Sequence, residues 1–134
     1  MRFLKAVVFV LTLLPGLAYG VEFRRAQATL DDVFSASCRV NVANARGSGS
    51  FIGVFNDEAY VLTNYHVVEN NKTATCDFWT NGVRQNIAGK VVWRAYDASM
   101  PADFALIALN AEELKEKINP PYIALAGRDG KPTV

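Results

Sequence analysis

The chain's single histidine, His66, follows an apolar run and a Thr-Asn pair in Tyr60-Val61-Leu62-Thr63-Asn64-Tyr65-His66-Val67-Val68-Glu69. Asp103 opens a second apolar run, Asp103-Phe104-Ala105-Leu106-Ile107-Ala108-Leu109. A histidine can take the proton of a hydroxyl nucleophile near neutral pH. A carboxylate bonded to its other ring nitrogen fixes the tautomer that does so. His66 as base and Asp103 as its orienter are two of the three members of a Ser-His-Asp arrangement in the chain order His…Asp…Ser. No serine follows Ser99, so the nucleophile is expected to lie outside these residues. Ser48 and Ser50 precede the histidine, and the glycines around them read as places where strands turn and pack closely.

The two residues are distant in the chain, so the elements between them must bring them together. Ser37-Cys38-Arg39-Val40-Asn41-Val42 alternates, with Cys38, Val40 and Val42 on one face of a half-buried strand. Asn44 to Gly49 reads as a turn. Ser50 to Phe55 is a strand with Gly53 as its bend or bulge. Further strands are expected over 59–63, 72–79, 83–87, 89–94 and 103–109. Thr80-Asn81-Gly82 forms a hairpin turn, because Asn-Gly accepts positive φ at both central positions. Tyr96 to Ala102, with Pro101, reads as a loop. Thr29-Leu30-Asp31-Asp32 caps one short helix. Asn110, with Glu113 three residues on, caps another that Pro120-Pro121 ends. Short strands at hairpin spacing with few helices predict an all-β chain folded as a small antiparallel barrel or sandwich.

In 134 residues there is room for one domain. Residues 1–20 read as a secretory signal peptide: Arg2 and Lys5, an apolar run from Ala6 to Leu14, Pro15-Gly16, then the small residues of Ala18-Tyr19-Gly20. The run is too short to span a bilayer, and no later segment could. The domain is expected over 21–126, and 127–134 reads as the start of a linker. Its localisation is expected to be secreted or periplasmic. The full chain has 14 basic and 13 acidic residues. Without Arg2 and Lys5 the balance tips to one net negative charge, and nothing in it points to an electrostatic nucleic-acid binder. Cys38 and Cys76 are an even pair in an exported chain, which suggests one cross-strand disulfide; two buried free thiols are the alternative. With one histidine and that spacing they make no zinc site. No metal or cofactor is expected.

Three blocks resemble the N-terminal half of trypsin-like, chymotrypsin-fold serine peptidases, especially the bacterial HtrA-type group. Gly47-Ser48-Gly49-Ser50-Phe51-Ile52-Gly53 is similar to the glycine-serine-glycine strand before the histidine. Val61 to Val68 is similar to the histidine block, and Asp103-Phe104-Ala105-Leu106-Ile107 to the aspartate block. The resemblance implies His66 as general base, Asp103 as its partner, and a six-stranded Greek-key-like barrel, the first of two. It implies a second barrel downstream that carries the nucleophile in Gly-x-Ser-Gly and the oxyanion hole. Substrates would be proteins or peptides, hydrolysed through an acyl-enzyme without a cofactor. The alternative is an inactive, protease-like barrel used as a binding module. Val67 stands where many animal members carry a cysteine after the histidine, so a Cys38–Cys76 bond would not be the family's usual one.

Overall fold

The computed structural model describes residues 20–99 and 102–125. The expected signal peptide, except Gly20, and the expected linker at 127–134 lie outside the described residues. Nine elements follow in order: α1 (Leu30–Ala36), β1 (Ser37–Val42), β2 (Ala45–Phe55), β3 (Glu58–Thr63), α2 (Tyr65–Val68), β4 (Thr73–Thr80), β5 (Val83–Asp97), β6 (Ala102–Asn110) and α3 (Ala111–Lys117).

The six strands close into an antiparallel barrel in the spatial order β1-β2-β3-β6-β5-β4. β1, β2 and β3 follow one another through tight turns. β4 then returns past β3 to pair with β1, placing Val40 opposite Cys76. The order β4-β1-β2-β3 is a Greek key. β6 lies between β3 and β5 and closes the barrel. The fold is therefore the all-β, six-stranded barrel with few short helices that the sequence predicts.

The turns follow their residues. Asn81 and Gly82 take φ of 50° and 77° between β4 and β5, and Asn56 and Asp57 take 51° and 64° between β2 and β3. Asn and Asp tolerate this region and glycine adopts it freely. Gly53 bulges β2 against β3, with φ of 141°. The helices are capped as expected: Thr29 Oγ1 accepts the N–H of Asp32, and Asn110 Oδ1 accepts that of Glu113.

Phe51, Phe78, Ile87, Ile107 and Leu109 fill the barrel, joined by Leu114 of α3, and all are fully buried. Phe51 also anchors the chain on either side of the barrel. The Phe23 ring meets it edge-on at 4.9 Å and Tyr122 at 6.4 Å. Its carbonyl accepts the N–H of Ile123 at 2.9 Å. Outside the barrel, Asp77 of β4 is buried yet charged. Burial opposes that charge. Asn86 of β5 and Asn41 and Arg39 of β1 donate to the carboxylate at 2.6, 3.0 and 3.4 Å and keep its pKa low.

Two local expectations differ. Asn44 to Gly49 is not a turn: β2 already begins at Ala45. Its glycines are needed in the strand. A Cβ on Gly49 would lie 2.7 Å from Val61 Cγ1 and 2.8 Å from Val40 Cγ2. The strands expected at 83–87 and 89–94 are one element, β5, which runs on to Asp97 into the expected loop. Its bulge between Val91 and Trp93 interrupts the alternation that would have shown it as continuous. The sequence left open a disulfide or two buried free thiols, and the structure carries Cys38 and Cys76 as free, buried thiols. Val40, not Cys38, faces Cys76, so the cysteines are diagonal neighbours. A hydrogen bond with Cys76, then burial, pushes the Cys38 thiol well above the ordinary range and keeps it protonated.

Candidate active site

His66 and Asp103 meet at one end of the barrel. β3 pairs with β6 so that Thr63 faces Ala105. The end of β3 therefore delivers Asn64, Tyr65 and His66 beside the start of β6. There the chain turns into α2, a single helical turn whose Glu69 N–H closes on Tyr65 O at 2.7 Å. Asn64 leaves its side chain free of the cap and donates instead to Asp103 O at 3.2 Å.

The Asp103 carboxylate holds two groups of His66. Oδ1 accepts the backbone N–H at 3.1 Å. Oδ2 lies 2.9 Å from Nδ1 of the ring. The hydrogen bond from the His66 ring, helped by the backbone N–H groups of His66 and Tyr65, lowers the Asp103 pKa below the ordinary carboxylate value. An ionised carboxylate only accepts, so the ring hydrogen belongs on Nδ1 and the lone pair on Nε2. An imidazole in that state is a base with its accepting nitrogen directed away from the carboxylate. The side chains are 58% and 39% exposed, so Nε2 is open to a reacting group.

The surroundings fix α2 from three sides. Thr63 Oγ1 donates to Ser48 O at 2.8 Å, tying the approach to β2. Arg94 of β5 donates from Nε to Glu69 O at 3.0 Å, and from its terminal nitrogen to Asn71 O, tying the exit. Gly47 of β2 lies flat against Val67, the residue after His66, and a Cβ there would overlap the Val67 methyls. Gly47→Ala is thus expected to push α2 outward and to cost about 1–3 kcal/mol in urea unfolding. Adding Val67→Ala should recover most of that loss. Full stability in the single variant would show that this contact does not seat the helix.

Both expected site residues are therefore brought together. Ser48 and Ser50 are not aimed at the base by any hydrogen bond among the described residues; Ser48 serves through its carbonyl. The sequence reading missed Tyr65 and Tyr96 as neighbours of His66, and Arg94 as the tie on the exit of α2. Tyr65 and Tyr96 form ring contacts with His66. Tyr96 was hidden because its strand was read as a loop. Among the described residues, no group of His, Cys, Asp and Glu could hold a metal ion.

No family model and no curated protein matches the chain. Among solved structures it is similar to the crystal structure of Rv3671c from M. tuberculosis H37Rv, a serine-to-alanine mutant in an inactive form, with a TM-score of 0.50 and 20% sequence identity. The match covers 81% of this chain and 47% of that one, so the chain spans about half the neighbour's length. At that identity the likeness is one of fold, a closed six-stranded antiparallel barrel.

Proposed function

We propose that this chain supplies the base and orienting carboxylate of an exported serine-type endopeptidase of the HtrA-like, trypsin-like kind, acting on proteins or peptides. The observation that carries the reading is the 2.9 Å approach of His66 Nδ1 to Asp103 Oδ2, reinforced by the backbone bond to the same carboxylate. Nε2 would take the proton of a serine hydroxyl as it attacks the scissile carbonyl. Asp103 would stabilise the imidazolium so formed, and the proton would pass to the leaving amine. The serine and the oxyanion donors would come from a second barrel. Export rests on the signal-like residues 1–20.

The reading is tested on the gene past the codon of Val134 and on its product. An open frame with a Gly-x-Ser-Gly segment is expected, its serine labelled by a fluorophosphonate. His66→Ala should slow that labelling by about 10⁴-fold. The 134 residues alone should leave casein intact. A genuine stop codon after Val134, or labelling indifferent to His66→Ala, would overturn the enzyme reading and leave an inactive barrel acting as a binding module.

A further inference from the structure

Asp103 grips the His66 ring at a single atom. One hydrogen bond at Nδ1 leaves an imidazole free to rock about that bond, and this one stands open to water. Two tyrosines limit that freedom. The Tyr96 ring meets the His66 ring edge to face, with centroids 5.0 Å apart and planes at 90°. Tyr65 stacks on Tyr96 at 5.1 Å and 18°. Tyr65 in turn meets His66 at 5.7 Å and 83°. Each ring of the three touches the other two.

The arrangement is set by the sheet. Tyr96 lies directly opposite Asp103 in the β5–β6 ladder, so the residue beside the ring and the residue bonded to it stand on one face. Tyr65 adjoins His66 on α2. Arg94, two residues before Tyr96, ties that end of β5 to the exit of α2. The bracket and the base are thus held by the same three elements. Edge-to-face packing is directional, because the ring edge carries the positive end of the aromatic quadrupole and the face the negative end. It favours one tilt of the imidazole over others, which simple burial would not.

We propose that Tyr96, backed by Tyr65, is a positioning residue for His66. The pair restricts the imidazole to the orientation in which Nδ1 faces Asp103 and Nε2 faces outward. Neither tyrosine exchanges a proton or touches the scissile bond. This rests on His66 being a base, but it is tested without turnover.

The chain has one histidine, so ring-labelled protein gives one set of imidazole signals. In the full chain with the imidazole neutral, Nδ1 should resonate as a protonated and Nε2 as an unprotonated nitrogen, and the His66 ring protons should show cross-relaxation to the Tyr96 ring. Tyr96→Phe should keep this pattern. Tyr96→Leu, at a half-exposed strand end, should shift the balance towards an unbracketed ring by about three- to tenfold. Both nitrogen shifts should then move towards the average of exchanging tautomers. The Asp103 pKa should rise towards its ordinary value, because the ring hydrogen bond that lowers it is weakened. Wild-type-like readouts in Tyr96→Leu would overturn the proposal. So would the absence of cross-relaxation between the two rings in the unmodified chain, a measurement that needs no variant to fold. Failure of the base reading would look different: turnover of a nucleophile-bearing form would survive His66→Ala while these spectra stayed as expected.

Discussion

Asp103→Asn is expected to lower acyl transfer by about 10⁴-fold in a form of the protein that carries the nucleophile, with the barrel intact. The substitution barely changes volume, and the asparagine carbonyl can still accept the His66 backbone N–H where Oδ1 now does so at 3.1 Å. Its amide nitrogen then faces Nδ1. An amide nitrogen donates, so Nδ1 must accept and the ring hydrogen moves to Nε2. The lone pair needed for proton abstraction then sits on the wrong nitrogen. The Asp103 side chain is 39% exposed, so little stability rides on its charge. In the present chain the same event is visible as an exchange of the two imidazole nitrogen shifts. Turnover within tenfold of the unmodified enzyme would remove Asp103 from this role.

Phe51→Ala should have the largest effect on stability, about 3–5 kcal/mol. A domain of this size holds about 5–15 kcal/mol in total, so the variant should lose a large share of its stability and unfold at markedly lower urea. Phe51 is fully buried in the barrel and is also where Phe23 and Tyr122 dock from the flanking segments. Truncation removes the core contact and both edge-on ring contacts together. Arg25 and Tyr122 bridge those segments in parallel, so they should loosen as a pair. Urea unfolding read from core methyl signals measures the loss. A cost below about 1 kcal/mol would show that the neighbouring rings collapse into the gap.

The meeting of His66 with Asp103 was legible because one lies just past an apolar run and the other opens one, the pattern of strand ends. The hairpin at Asn81-Gly82 was legible because those residues need no tertiary context to favour positive φ. What could not be read depends on the far side of the barrel. Gly47 and Gly49 look like turn residues in isolation, and only Val67, Val61 and Val40 packed against them explain glycine inside a strand. The bulge between Val91 and Trp93 shifts the register, so the positions opposite Asp103 could not be counted from the hairpin. The cysteine pair depends on register in the same way. Placing Cys38 and Cys76 on paired strands is within reach of the sequence; placing them diagonally is not.

The strand order also governs when the site comes into being. β6 is the last strand among the described residues, yet it lies between β3 and β5. A polypeptide emerging from its N-terminus can pair β1 with β2 and β2 with β3 while Asp103 is still unsynthesised or unpaired. His66 then has no carboxylate and no opposing Tyr96 register. Barrels dominated by such distant pairings fold in about milliseconds to seconds, and here the final pairing and the meeting of His66 with Asp103 are one event. A nascent or half-folded chain therefore carries His66 without its carboxylate, and the pair is set only by the step that seals the barrel.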